Sequence, residues 1–330
     1  MDPVTHAAIA RMAASVGRSD ISRGTALLAI AGGLTPDLDA IFMPVGWDVY
    51  LRVHETGTHS LAGAVILATV LVAAWRPFTS VAVGRLFAVA LTGVASHVAL
   101  DVLSGASIRL ASPLAAWRTN LGLIGMADPW LAGPVAIALL AVMATRLRID
   151  TVAPYVLAFA AALMAGKAIS RRSALAQYGA VADPAAVEHL AQAQWASLTR
   201  WWIYERTPLR VRAWTVDVRT GVAAMALEMP VASSHDLAAG EHDLAPVRNA
   251  LVLYDLPVRV TTAVGTRTVV FWSDLRFCFT PSRDDGPVPG SHLRPTAEPI
   301  ACGVWFGGEL DRDGRVVRQF VTVGEHLQMR

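Results

Sequence analysis

Leu86-Phe-Ala-Val-Ala-Leu-Thr-Gly-Val-Ala-Ser-His97-Val-Ala-Leu-Asp101-Val-Leu103 is apolar for almost its whole length, yet it carries an imidazole and a carboxylate near one end. A run of this length approaches a bilayer crossing, which takes about 17–25 residues of helix. Ionisable side chains at membrane depth cost about 2.5–3.5 kcal/mol each on insertion scales, so they usually mark a functional site. His97 and Asp101 are four apart, which puts them on one helical face where they can share an ion or simply hydrogen-bond between helices. Apolar runs at 25–42, 61–75, 130–147 and 152–169 accompany this one, and a weaker helix at 4–16 precedes them. Several are short for a relaxed span, so tilted or partly buried helices are expected.

Composition agrees. The 330 residues have room for two domains; 54% are hydrophobic and 16% charged, with a mean hydropathy of +0.45. A net charge of +2 offers no broad basic field, which argues against a nucleic-acid partner. Lys167 is the sole lysine among the basic residues. Met1-Asp2-Pro3 lacks the basic region of a signal peptide, and His6 and Arg11 interrupt the apolar stretch behind it, so uncleaved helices are expected to direct insertion.

After residue 169 the pattern changes. Ser170-Arg-Arg172 opens a polar region, and Asp183-Pro184 predicts an amphipathic helix to about Trp202. From residue 209 the period is two: 211–218, 267–279, 302–310 and 315–323 read as strands, the last two joined by the turn Asp311-Arg-Asp-Gly314. The expected architecture is an α-helical membrane bundle of about five to six helices over 1–170, which holds the site. An amphipathic helical linker over 171–204 and a small soluble, mainly-β antiparallel domain over 205–330 follow it. Cys278 and Cys302 lack CxxC spacing and are no zinc pair. They form a disulfide if their strands bring the Cα atoms within about 7 Å in an oxidising compartment, and otherwise are small buried residues.

Alternating helices bring the ionisable residues to one end. His6 begins the first helix, Asp37 and Asp39 end the second, His54 and His59 precede the third, and His97 and Asp101 end the fourth. The opposite end carries Arg18, Arg23, Arg76, Arg85, Arg146 and Arg148 in short loops, so the positive-inside rule makes it cytoplasmic and turns the site and C-terminal domain outward. Arg52, Arg109, Arg118 and the cations of 167–172 on the site side count against this orientation.

The side-chain types are nitrogen and oxygen donors without sulfur, which suits a hard-to-borderline divalent ion. Asp37 and Asp39 flank Leu38 after Pro36; an extended i, i+2 pair points both carboxylates one way, while a turn or cap is the alternative. His54-Glu-Thr-Gly-Thr-His59 is one residue too long for the HExxH pattern of zinc proteases, because a separation of five leaves one α-helical face. A loop that presents two imidazoles remains, with hydroxyls at Thr58 and Ser60; Ser60 can also cap the next helix. Asp128-Pro129-Trp130 reads as an N-cap with a first-turn proline. His189, His235, His242, His292 and His326 read as surface residues, and the C-terminal tryptophans as core or interface anchors.

Together these pieces resemble the YdjM-like family of membrane-bound metal-dependent hydrolases, also described as LexA-binding inner-membrane proteins. The matching motifs, in family order, are Thr5-His6, Thr35-Pro-Asp37-Leu-Asp39, His54 with Thr58-His59-Ser60, Ser96-His97-Val-Ala-Leu-Asp101 and Ala127-Asp128-Pro129-Trp130, over roughly residues 1–170. The resemblance implies a multi-helix membrane protein whose His and Asp residues bind metal for hydrolysis. The family pattern His-Arg-Gly-x-Thr-His-Ser departs here to His54-Glu55-Thr56-Gly57-Thr58-His59-Ser60, which removes an arginine suited to an anionic substrate; Arg52 is the nearest replacement. His6, Asp37, Asp39, His54, His59, His97 and Asp101 are the expected ligands of one or two divalent ions, zinc first, with manganese or magnesium as alternatives. Asp39 or Glu55 is the expected general base. Membrane lipids and a small-molecule, lipid-linked or phosphoester substrate are the expected partners. The competing class is a non-catalytic membrane protein with a structural metal, or one that carries ions or protons.

Overall fold

The computed structural model describes residues 2–17, 22–105, 107–125, 127–145, 147–232, 237–238, 240–252, 254–279, 301–323 and 326–329. Arg18, Arg146, His235 and His292 lie outside the described residues, as do the side chains of Glu55, Thr56 and His326.

Helix α1 (Pro3–Ser15) starts on Asp2, whose carboxylate accepts from Thr5 N at 2.8 Å, and α2 (Arg23–Leu34) starts on Ser22. A 3₁₀ segment (Thr35–Phe42) continues α2 and leads to the short α3 (Trp47–Val53). Ser60 caps α4 (Leu61–Trp75) by accepting from Gly63 N at 2.9 Å, and α5 (Val83–Leu103) returns after a tight turn. Asp128 accepts from Trp130 N at the start of α6 (Pro129–Thr145), and α7 (Ile149–Tyr178) closes the bundle.

Four segments are long and apolar enough to cross a membrane among the described residues: Arg23–Phe42, Leu61–Phe78, Val83–Leu103 and Ile149–Tyr178; α6 is a shorter apolar helix. Their outward faces are apolar as well, with Ile66, Val70, Ile137, Met143, Tyr155 and Ile169 all more than half exposed. Contiguous exposure of this kind is stable in hydrocarbon and costly in water. Inside, Ala14, Leu28, Ala29, Ala68, Leu86 and Ala90 pack α1, α2, α4 and α5 together, while Ile9, Met12, Leu100, Leu131 and Val156 join α1 and α5 to α6 and α7. Small residues make the closest approaches. A Cβ on Gly32 would sit 2.7 Å from Ala90 O, one on Gly33 2.5 Å from Ala10 Cβ, and one on Gly93 would strike the Ala29 carbonyl. This is the small-residue packing that lets membrane helices approach without a hydrophobic drive between them.

Helix α7, with 30 residues, rises about 45 Å and therefore outruns a hydrocarbon core of about 30 Å. Its last turns lie against the first sheet: Ala174 and Tyr178 pack with Ala191, Trp201, Ile203 and Val216. Here the structure corrects an expectation. The segment expected as an amphipathic helical linker, 171–204, is the end of α7 followed by β1 (Glu188–Ala193) and part of β2 (Arg200–Arg206). Asp183 does accept from Ala185 N at 2.9 Å, so the cap signal forms its local turn. Antiparallel pairing of 188–193 with 201–206 then buries Ala191, Trp201 and Ile203, a gain that a solitary surface helix cannot match.

The strands form a four-stranded sheet in the order β1-β2-β3-β4, with β3 Arg210–Asp217 and β4 Val222–Pro230. A five-stranded sheet runs β11-β10-β9-β6-β5, from β5 (Pro257–Val264), β6 (Arg267–Asp274), β9 (Val304–Leu310), β10 (Val316–Val323) and β11 (His326–Met329). Facing sides of the two sheets share one core that includes Tyr204, Val211, Met229, Val258, Phe271, Trp305 and Phe320. The expected turn at Asp311–Gly314 joins β9 to β10; Asp311 Oδ1 accepts from Asp313 N and Arg315 N, and Gly314 has φ +76°.

The β half is seated on the helical half. Helix α8 (Ala245–Leu251) packs on α3: Trp47 and Leu51 meet Ala250, Tyr254, Phe306 and Val321, and the Asn249 amide donates to the buried Asp48 carboxylate at 2.6 Å. Cys278 and Cys302 pair across the short strands β7 (Cys278–Phe279) and β8 (Ala301–Cys302) and are joined by a disulfide. Their sequence separation of 24 closes a loop worth about 3 kcal/mol on chain-entropy grounds. Purified protein is therefore expected to shift on a non-reducing gel when reductant is added, and C278S/C302S to unfold its β domain at lower denaturant; unchanged mobility and midpoint would show that the bond is absent.

Candidate metal centre

The close packing of α1, α2 and α5 sets the site. Gly32 and Gly93 bring α2 and α5 into backbone contact, and the Gly33 carbonyl accepts from His97 Nδ1 on α5 at 2.7 Å. That bond assigns the tautomer: the proton of neutral His97 is on Nδ1, and the lone pair is on Nε2. A second relay fixes His59. Thr58 Oγ1 donates its proton to Asp39 Oδ2 at 2.6 Å, so the same oxygen accepts from His59 Nδ1 at 3.0 Å. His59 also presents a lone pair on Nε2. The two Nε2 atoms lie 3.1 Å apart.

Carboxylates surround them. Asp101 Oδ2 is 3.0 Å from His97 Nε2 and 3.3 Å from His59 Nε2, and Asp37 Oδ1 is 3.4 Å and 3.6 Å from the same atoms. His6 is fully buried, stacks on the His97 ring at 3.7 Å, and approaches Asp101 Oδ1 to 3.4 Å, while neither of its ring nitrogens makes a hydrogen bond. His54 Nδ1 is 3.0 Å from Asp39 and 3.9 Å from Asp37. His59, His97 and Asp101 are buried, and the opening is at Asp37 and His54, whose side chains are 32% and 23% exposed. Lone pairs and anionic oxygens packed this closely repel one another unless a cation, proton or metal ion, sits among them. At His59, outside the spans, burial pushes the imidazole down, but the hydrogen bonds that its protonated ring donates to the Asp101 and Asp37 carboxylates outweigh it and hold it above its ordinary value.

Three overlapping groups have donor atoms within 4.8 Å of one another: His6, Asp37 and His97; Asp37, His54 and His59; and His59, His97 and Asp101. Six of the seven expected ligands therefore lie together. Asp39 stands apart from these groups, since its two oxygens are turned to His54 and Thr58. The Glu55 side chain lies outside the described residues. Arg52 is turned away to donate to Asn249 Oδ1 at 3.2 Å, and Asp128 pairs with the buried Lys167 Nζ at 2.5 Å between α6 and α7, apart from the centre.

The residues between the two histidines differ from the expected loop. His54–Thr58 is a wide turn of π-helix, closed by i→i+5 bonds, and it places the His54 and His59 rings 4.2 Å apart at their centroids. A turn with more residues than an α-helical one lines up positions five apart, so the separation that excludes an α-helical pair is what this geometry requires. Sequence reading also missed the Gly33 carbonyl and the relay through Thr58. A Gly-Gly pair just before the Asp37 motif was the visible signal for the first, and a hydroxyl next to a ligand histidine for the second.

Residues 1–172 match the family described as YdjM inner membrane protein. No curated protein and no solved structure matches the chain. The match covers more than half of the sequence and every residue of the histidine and aspartate cluster, so this chain is a membrane protein that belongs to the YdjM inner membrane protein family.

Proposed function

We propose that this chain is a metal-dependent hydrolase whose centre is held by His6, Asp37, His54, His59, His97 and Asp101, with one or two divalent ions, zinc first. The observation that carries the reading is the pair of Nε2 lone pairs opposed at 3.1 Å inside a ring of carboxylates, together with the orphaned ring nitrogens of His6. Imidazole nitrogens with carboxylate oxygens suit zinc, and manganese or magnesium would favour the oxygen side of the set. A divalent ion bound there supplies Lewis acidity: it polarises a scissile group and makes water acidic enough to attack near neutral pH.

The chain's own residues supply orientation. Gly33 O and Thr58 Oγ1 accept the Nδ1 protons of His97 and His59 and so keep both Nε2 lone pairs turned inward. Asp39 fixes Thr58 and His54. Asp37, at the exposed edge, is the carboxylate that incoming substrate and water meet first, while the buried remainder excludes bulk water. Partial exposure at Asp37 and His54 favours a working site over a closed structural one. Because the cluster occupies the last turns of Arg23–Phe42 and Val83–Leu103, a lipid-linked or phosphoester substrate at the membrane boundary fits best.

We also infer a multi-pass inner-membrane topology with the site and β domain on the outer side. Arg23, Arg76, Arg85 and Arg148, at the helix ends remote from the cluster, support it, and so does a disulfide in the β half, which needs an oxidising compartment.

Metal analysis tests the centre. His97→Ala and Asp101→Ala should lose the bound ion from purified protein, whereas the exposed His189→Ala should retain it; equal metal content in all three would overturn the reading. Asp39→Asn and Thr58→Val should keep the ion but weaken its affinity, by about 10–100-fold as for other residues that orient ligands. Hydrolysis of lipid-linked or phosphoester substrates should fall with metal loss and return on reloading; a fully loaded protein inert toward such substrates would favour a structural or transport role. For topology, Arg148→Cys should react with a membrane-impermeant thiol reagent only after permeabilisation, and Thr220→Cys in intact spheroplasts. The reverse pattern would invert the orientation.

A further inference from the structure

The connection between α5 and α6 contains an apolar projection that the metal centre does not use. Residues 110–117 read Leu-Ala-Ser-Pro-Leu-Ala-Ala-Trp, and Leu114 at the tip is 94% exposed, with Trp117 at 55%. A connection this apolar and this exposed is unfavourable in water, because loop tips there are normally polar.

The base of the projection is polar and firmly tied. Ile108 and Thr119 exchange two backbone hydrogen bonds, at 3.1 Å and 2.8 Å. The Arg109 guanidinium donates to Val252 O at 2.7 Å, and Arg118 pairs with Asp255 at 2.5 Å and also donates to Val252 O. These bonds fasten both ends to the β half. A further one fixes the flank: Leu61 N donates to Leu110 O at 2.9 Å. Leu61 is the first residue of α4 and follows His59 by two positions, so the projection begins beside the metal centre.

That last bond identifies the surroundings. Leu61, Val65, Ile66 and Val70 are 50–64% exposed along α4, one of the four membrane-crossing segments, so the projection continues an apolar surface that already faces lipid. Apolar tip, tryptophan and arginine-tied base match the order of acyl region, interface and headgroup across a leaflet edge.

We propose that residues 110–117 form an interfacial anchor that dips into the leaflet on the site side, with Leu114 among the acyl chains and Trp117 at the headgroup boundary. The anchor fixes the height of the metal centre relative to the lipid surface. It depends on the membrane embedding of the helices and not on any metal chemistry.

The native cysteines are bonded to each other, so Leu114→Cys can be labelled selectively with an environment-sensitive nitrobenzoxadiazole dye and the protein reconstituted into phosphatidylcholine vesicles. Thr220→Cys, in the exposed β3–β4 turn, is the reference. Doxyl groups on the lipid chains should quench the dye at 114 several-fold more than at 220, and aqueous iodide should do the reverse. Equal iodide quenching at the two positions would overturn the proposal. So would protection of 114 from both quenchers, which would mean that another protein surface covers the loop. Trp117→Cys gives the second position: it should be quenched best by doxyl groups near the headgroup, and iodide quenching equal to that at 220 would again overturn the anchor.

Discussion

Two imidazole nitrogens that face each other with lone pairs, between carboxylates and away from water, are the constraint on which the helical half depends. Such an arrangement repels itself, and it persists only where the surrounding structure over-determines it and a cation relieves it. The over-determination is visible in small pieces. Gly32 and Gly93 let α2 and α5 touch backbone to backbone, and Gly33 lets α1 approach α2, which puts the Gly33 carbonyl on His97 Nδ1. Thr58 and Asp39 do the same for His59 from another element. Each relay uses up an Nδ1 proton and leaves the inward nitrogen free.

The same economy explains why so many charged atoms are tolerated inside an apolar bundle. Asp101 alone approaches His6, His59 and His97, and so ties α1 and the turn before α4 to its own helix α5. Away from the centre, the buried Lys167–Asp128 pair binds α7 to the start of α6 in a similar way. Removal of one partner from such a pair leaves an uncompensated buried charge, which costs far more than loss of an exposed pair.

The β half is attached by three separate devices: the long α7 that becomes the floor of its first sheet, the contact of α8 with Trp47, Asp48 and Leu51 of α3, and the arginine ties at Val252 and Asp255. The second of these links the β half to His54 of the cluster through a single helix. The histidine and aspartate cluster and the β half are therefore parts of one assembly.

By itself the sequence determined the membrane class, since apolar length and mean hydropathy depend on composition alone, and it named the six histidines and aspartates that the fold brings together. His97 and Asp101 were legible as neighbours because a four-residue spacing puts both side chains on one helical face. The hairpin at Asp311–Gly314 was legible because turn chemistry is local. Tertiary structure decided the rest. Residues 183–202 carry a sound cap yet supply β1 and the start of β2, because their hairpin buries Ala191, Trp201 and Ile203 against the end of α7, and the cap signal reports nothing of that packing surface. Asp37 and Asp39 are nearly identical in sequence context, yet Asp37 Oδ1 lies beside the His59 and His97 Nε2 atoms while both Asp39 oxygens turn to His54 and Thr58; two residues' rotation along the 3₁₀ segment makes the difference. His54 and His59 meet through a π turn that no spacing rule for an α-helix allows. These outcomes depend on where backbones come within contact distance, which is a property of the packed helices and not of any one of them.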